Sequence, residues 1–264
     1  MLRKRFITAL WGIPLLIAAV WFDKPLPWFT IFVSVWGLLA ALEFQRITAI
    51  AKVLPLASFG LVWTLLLILN PHFSFPVPLL LTSAVVLSLV LLVFSPQRQE
   101  VFQSWSWVIG GILYIGWLLG YLVALRLEAG RSWGFLALFT TFGSDTAAFF
   151  IGRAIGKHRL APRISPGKTW EGAIGGLLGA IIVSLLFTLP TPLQLPLNYG
   201  QAIILGILVS ILGQVGDLAE SLLKRSAGVK ESGTLMPGHG GVLDRTDSIL
   251  FAGVVVYYFF YFIS

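Results

Sequence analysis

The sequence predicts an all-α, polytopic integral membrane protein, on three observations. Of 264 residues, 57% are hydrophobic and only 11% are charged, whereas soluble domains carry about 25% charged residues. The apolar residues form runs of the length a helix needs to cross a bilayer, roughly 17–25 residues. Most of the lysines and arginines fall in alternate connections between those runs, as the positive-inside rule requires.

About nine transmembrane helices are expected, at 6–22, 27–44, 54–70, 78–94, 105–125, 133–151, 172–189, 200–216 and 248–263. Arg3, Lys4 and Arg5 before the first run would suit a signal peptide, but no A-x-A site follows and Asp23-Lys24-Pro25 links it tightly to the next run. A retained anchor is therefore expected. With the N-terminus cytoplasmic, the inner segments hold Arg3, Lys4, Arg5, Arg46, Lys52, Arg98, Arg153, Lys157, Arg159, Arg163, Lys168, Lys224, Arg225, Lys230 and Arg245. Only Lys24, Arg126 and Arg131 fall outside. This orientation fits a bacterial-type inner membrane or its equivalent. Trp21, Trp28, Trp105 and Trp133 lie near the ends of runs, as interfacial aromatics do. The net charge of +7 gives no reason to invoke nucleic acid, because basic inner loops answer to topology and meet anionic lipid. The chain has no cysteine, which excludes disulfides, thiolate catalysis and Cys-bound zinc.

Residues 1–130 read as membrane scaffold and 131–264 as a catalytic membrane region with two charged cytoplasmic loops, in one continuous membrane domain. Gly116 and Gly120, and Gly175 and Gly179, have the small-xxx-small spacing that lets helices approach closely. Packing within the chain is the simpler use of them; a homodimer seam is the alternative.

Charge in the second half is concentrated. Gly213–Asp247 carries five carboxylates, Asp217, Glu220, Glu231, Asp244 and Asp247, and four cations, Lys224, Arg225, Lys230 and Arg245. Asp217, Glu220, Ser221 and Lys224 are spaced i, i+3, i+4, i+7, which is one face of a helix if the 200–216 run continues past the membrane. Asp244 and Asp247 are spaced i, i+3 and are expected on one face at the start of the last helix. Between these groups lies Pro237-Gly238-His239-Gly240-Gly241, where glycines let the backbone come close to a ligand. Asp145 falls inside an apolar run, a costly place for an ionisable group and a functional candidate for that reason. Ser165-Pro166-Gly167-Lys168-Thr169 reads as a turn bearing a cation before a helix that starts at Trp170-Glu171. Amides at such a start, with Lys168, can hold phosphate oxygens. Hard oxygen ligands beside a cationic patch suit Mg²⁺ bound together with substrate phosphates. A solvated, salt-bridged loop is the bland alternative.

The pattern Ser221-x-x-Lys224-Arg225-x4-Lys230, followed by Pro237-x-His239-Gly240-Gly241-x-x-Asp244-Arg245-x-Asp247, closely resembles the signature of the phosphatidate cytidylyltransferase (CDP-diacylglycerol synthase) family. Asp145-Thr146-Ala147-Ala148-Phe149 and Ser165-Pro166-x-Lys168-Thr169-x-Glu171-Gly172 are similar to that family's other inner motifs. The chain departs from the family in having Lys230-Glu231 where Lys-Asp is usual, and Gly167 where a second lysine is common. The resemblance implies the reaction CTP + phosphatidate → CDP-diacylglycerol + pyrophosphate, in phospholipid biosynthesis at the cytoplasmic membrane surface. For that reaction the residues themselves suggest Asp217, Lys224, Asp244 and Asp247 as catalytic, with Asp145, Asp217, Asp244 and Asp247 expected to hold Mg²⁺; a second cation is left open by the sequence. Ser165, Lys168, Thr169, Ser221, Arg225, Lys230, His239, Gly240, Gly241 and Arg245 are the expected substrate-binding residues. Two other readings are a CTP-dependent polyprenol or phytol kinase, which would release CDP, and a membrane transporter, which would spread its charges through several spans.

Overall fold

Lipid is as apolar as leucine, so helices in a membrane are held together by close packing and hydrogen bonds rather than by hydrophobic exclusion. Both devices are visible in the computed structural model, which describes residues 12, 14–22, 24–50, 54–94, 101–236 and 240–264. The helices are α1 (Trp28–Ile47), α2 (Leu54–Phe73), α3 (Val77–Val93), α4 (Val101–Gly111), α5 (Leu118–Glu128), α6 (Arg131–Ile155), α7 (Trp170–Leu186), α8 (Tyr199–Ser226) and α9 (Asp247–Ile263). A π-helical turn, Ile112–Trp117, joins α4 to α5. Two short strands, β1 (Arg159–Ala161) and β2 (Ser165–Thr169), form an antiparallel hairpin. Among the described residues five helices are long and apolar enough to cross a membrane: Trp28–Ile47, Pro55–Phe73, Phe102–Glu128, Arg131–Ile155 and Tyr199–Ser226. Three shorter apolar helices are α3, α7 and α9. The all-α membrane class is therefore what the chain adopts. Residues 14–21 are also helical, while most of the remainder of the expected 6–22 span lies outside the described residues, as do Arg3, Lys4, Arg5, Lys52 and Arg98.

The backbone groups into two units, one of residues up to Val123 with Glu231–Thr246, the other of Ala124–Lys230 with Asp247–Ser264. In the first, an added Cβ at Gly116 would lie 2.8 Å from Thr64 Cα, and one at Gly120 would lie 2.8 Å from the Leu67 carbonyl oxygen, so both glycines are spent on α2. Side-chain hydrogen bonds supplement this packing. Gln45 Nε2 donates to the Ala57 carbonyl at 2.9 Å, and Trp105 Nε1 to Ser88 Oγ at 2.8 Å.

In the second unit α6 and α7 pack along their length on small residues. A Cβ at Gly179 would sit 2.6 Å from Ala147 Cβ, and one at Gly175 would meet Ile151. These glycines, too, pack within the chain. Ser144 Oγ and Ser210 Oγ bond at 3.0 Å between α6 and α8. Gln214 Nε2 donates to Ser210 Oγ at 2.9 Å and to the Ala173 carbonyl at 3.2 Å, tying α8 to α7. Trp133 is 4% exposed and packs edge-on against Phe260 of α9, so it serves as core and not as the interfacial aromatic its position near a span end suggested.

Two local expectations change. Ser165–Thr169 is a strand, not a turn: its register with β1 pairs Arg159 with Thr169 and Ala161 with Ser165. The turn is displaced to the residues between the two strands. Asp244 lies in a 3-10 turn, Leu243–Arg245, whereas α9 begins at Asp247, so their spacing is not that of one α-helical face.

The packing argument gives a paired test. Gly179→Ala forces a Cβ against a backbone carbonyl and a neighbouring methyl, and overpacking of this kind costs about 1–3 kcal/mol. Gly110 has nothing within 4 Å of an added Cβ, and Gly→Ala in a helix gains up to about 1 kcal/mol in propensity. Thermal unfolding in detergent is expected to show a lower Tm for Gly179→Ala and an unchanged or higher Tm for Gly110→Ala.

Candidate active site

The longest helix places the first part of the site. α8 runs unbroken for 28 residues, about 42 Å at 1.5 Å per residue, against a hydrocarbon core of about 30 Å. Its last turns are thus long enough to leave the apolar layer. Asp217, Glu220, Ser221 and Lys224 lie on this one continuous helix, as their spacing predicted. Asp217 Oδ2 receives the Lys168 ammonium at 2.7 Å, so β2 is pinned to α8 by an ion pair, both side chains being partly buried. Glu220 is fully buried and pairs with Lys224 one turn on. Asp247, the first residue of α9, accepts the Ser248 amide on Oδ1 at 2.8 Å. Asp217, Glu220 and Asp145 are all near enough to Asp247 to repel its charge. Carboxyls from α6, α8 and α9 therefore gather in one unit with two lysines among them. The backbone permits this because Gly216 has no side chain: a Cβ there would be 2.7 Å from the Asp247 carbonyl oxygen.

The hairpin completes this unit's polar face. Thr169 caps α7, its Oγ1 accepting the Gly172 amide at 3.1 Å. His158 Nδ1 lies 2.7 Å from Glu171 Oε1, and the His158 amide donates to both Glu171 oxygens at 3.3 Å. Glu171's carboxyl is drawn down from its ordinary 4.5 to about 2, chiefly by its own backbone amide and then by the His158 side chain. Arg225, exposed at the end of α8, donates to the carbonyls of Ile164 at 3.5 Å and Val229 at 3.3 Å. It thus holds the hairpin as well as presenting charge. Ser165 is half-buried on β2 and Lys230 is exposed.

The glycine-rich segment belongs to the other unit. Asp244 Oδ2 accepts the amides of Ser232 at 3.0 Å and Gly241 at 2.8 Å. Gly240, at φ +85°, brings its Cα so close that a Cβ would sit 2.7 Å from that same oxygen. The glycines thus bring the backbone against a carboxyl of the protein itself. Arg245 is exposed beside Asp244 in the chain. His239, with Pro237 and Gly238, lies outside the described residues.

Two acids escaped the sequence-based choice of site residues. Glu220 was counted but given no role, and burial marks it. Glu43 was passed over although it falls inside the 27–44 run, where the argument applied to Asp145 would have flagged it. It is 1% exposed, and its Oε2 accepts the Leu243 amide at 2.9 Å and the Ser232 hydroxyl at 3.1 Å.

Among the described residues no three acidic or histidine side chains enclose a common point tightly enough to hold an ion alone. That donor set fits Mg²⁺ of the kind that takes one or two carboxylates and completes its octahedron with phosphate oxygens and water.

The family profile of the cytidylyltransferases matches residues 3–263. The chain belongs to the cytidylyltransferase family. It is 33% identical over 237 residues to the phosphatidate cytidylyltransferase of Bacillus subtilis (strain 168), covering 87% of each chain. It is 39% identical over 209 residues to that of Brucella suis biovar 1, covering 62% of this chain and 76% of that one. To the phosphatidate cytidylyltransferase of Staphylococcus saprophyticus it is 39% identical over 173 residues, 65% of each chain. Family membership covers both charged loops and the membrane helices between them.

The Glu171 clasp is testable by acidification. A carboxyl whose folded pKa is depressed stabilises above its unfolded pKa, and loses that contribution as pH falls through the folded value. Hydrogen-exchange protection of the His158 amide is expected to hold above pH 4.5 and to fall progressively towards pH 2. In Glu171→Gln the low-pH loss should disappear, with weaker protection throughout.

Proposed function

We propose that this cytidylyltransferase acts on phosphatidate: CTP + phosphatidate → CDP-diacylglycerol + pyrophosphate. The observation that carries the reading is the gathering of Asp145, Asp217, Glu220 and Asp247 with Lys168 and Lys224 at the charged end of apolar helices. Its support is the match, over 87% of the chain, to a relative that bears that activity in its name. A reaction between a lipid phosphate and a nucleotide needs such a place, where acyl chains stay in the bilayer while the polar partner arrives from water.

In the proposed reaction a phosphate oxygen of phosphatidate forms a bond to the α-phosphorus of CTP, and the bond from that phosphorus to pyrophosphate breaks. The nucleophile is already anionic, so a strong general base is not required. The obstacle is repulsion between two phosphate groups. Mg²⁺, when bound by one or two of the candidate carboxylates Asp145, Asp217, Asp244 and Asp247, would supply the neutralising charge. Lys168 and Lys224 then serve as phosphate ligands. Both ammonium groups are held by carboxylates, which positions them for exchange onto phosphate oxygens. Arg225, Lys230 and Arg245, with Ser165, Thr169, Ser221, His239, Gly240 and Gly241, complete the proposed substrate-binding set.

We place the N-terminus and both charged loops on the cytoplasmic side of a bacterial-type inner membrane, with about nine spans. This rests on the distribution of Lys and Arg. A homodimer, if formed, would need a surface other than the Gly116–Gly120 and Gly175–Gly179 stripes, which pack within the chain.

The purified chain in mixed micelles with labelled CTP, phosphatidate and Mg²⁺ is expected to release pyrophosphate and CDP-diacylglycerol in equal amounts. Release of CDP instead would replace this reading by a kinase. Asp217→Asn and Asp244→Asn should each lower turnover at least about 100-fold, in the range seen for loss of a preorganised electrostatic group, while membrane insertion is unchanged. Near-normal turnover in either purified variant removes that aspartate from the metal site.

A further inference from the structure

We infer that Glu43, far from the signature in sequence, is a positioning residue that sets the carboxyl of Asp244 for its cation, with Ser232 as the link. The inference rests on the proposed metal role of Asp244. Ser232 is gripped from two sides. Its hydroxyl donates to Glu43 Oε2 at 3.1 Å, and its amide donates to Asp244 Oδ2 at 3.0 Å. Glu43 Oε2 also accepts the amide of Leu243, at 2.9 Å, the residue immediately before Asp244. The backbone on both sides of the Asp244 carboxyl is thus referred to one oxygen on α1.

Three further features point the same way. A Cβ at Gly233 would lie 2.3 Å from Glu43 Oε1, and a Cβ at Gly241 would lie 2.3 Å from Oε2. The loop therefore uses two glycines to wrap the Glu43 carboxyl, and one of them, Gly241, gives its amide to Asp244. Second, Trp36 lies seven residues before Glu43 on α1, so the two share a helical face. Trp36 Nε1 donates to Thr246 Oγ1 at 2.9 Å, and that hydroxyl donates to the Val242 carbonyl at 2.7 Å. One face of α1 holds both ends of the turn that bears Asp244. Third, Glu43 is 1% exposed. A loop can be anchored by apolar side chains without burying a charge-bearing group, which is costly. A carboxyl adds direction, because one oxygen accepts two donors at fixed angles, as groups behind a metal ligand do when they orient it.

The test reads metal binding separately from turnover and from folding. Mn²⁺ affinity of the full-length protein in detergent is measured by electron paramagnetic resonance, alongside Tm, for the wild type, Glu43→Ala, Glu43→Gln, Ser232→Ala and Asp244→Asn. Groups behind a ligand are worth about 10–100-fold in metal affinity, so Glu43→Ala is expected to weaken Mn²⁺ binding at least about 10-fold. Glu43→Gln keeps an acceptor oxygen and should restore most of that loss. Ser232→Ala, which removes one hydroxyl and keeps the amide to Asp244, should weaken binding less than Glu43→Ala. Wild-type affinity in Glu43→Ala beside weakened binding in Asp244→Asn overturns the positioning role and leaves the Asp244 reading standing. Wild-type affinity in Asp244→Asn overturns both. Equal loss in Glu43→Gln and Glu43→Ala overturns the hydrogen-bond account. If Glu43→Ala does not fold, Ser232→Ala decides: weakened binding supports the proposal, and wild-type binding rejects it.

Discussion

A carboxyl set among apolar helices must be met by donors or cations, and the polar regions of this protein are built by meeting that demand. Asp217 is answered by Lys168, and Glu220 by Lys224. Asp244 is answered by two backbone amides, and Glu43 by an amide and a hydroxyl. The first ties β2 to α8, and the last ties Ser232 and Leu243 to α1. The charge that would be used to handle phosphate is therefore the same charge that orders the loops carrying it.

Backbone approach makes these answers possible. Gly216 lets α9 start directly over α8, and Gly240 and Gly241 let the backbone close on Asp244. In the helices, Gly143, Gly175 and Gly179 bring α6 and α7 to contact distances that no side chain would allow. Within lipid, where burial of leucine against leucine gains little, such contacts supply the association that hydrophobic exclusion supplies in water. Asp145 is exposed on α6, next to the buried Ser144, whose hydroxyl meets Ser210 of α8. A candidate ligand is thereby held on a stiff support.

The helices were largely legible because a membrane span is a local property: a run of apolar residues of sufficient length, bounded by charge or proline. The face shared by Asp217, Glu220, Ser221 and Lys224 was legible for the same reason, since helical periodicity is read within two turns. The strand at Ser165–Thr169 was not. Its five residues contain a proline and a glycine, and only pairing with Arg159–Ala161 makes them extended. Asp244 and Asp247 looked like a helical pair because spacing alone does not show where a 3-10 turn gives way to an α-helix.

What the sequence determined by itself was the membrane class, the course of the apolar helices, the concentration of charge in the second half and the family pattern it carries. Each is written in residues near one another along the chain. The tertiary structure alone decided which groups answer which: Lys168 for Asp217, and Glu43 for Ser232 and Leu243 at separations of 189 and 200 residues. Hydrogen bonds and ion pairs act over a few ångströms in space and are indifferent to distance along the chain. Their partners become determinate only once the helices have packed.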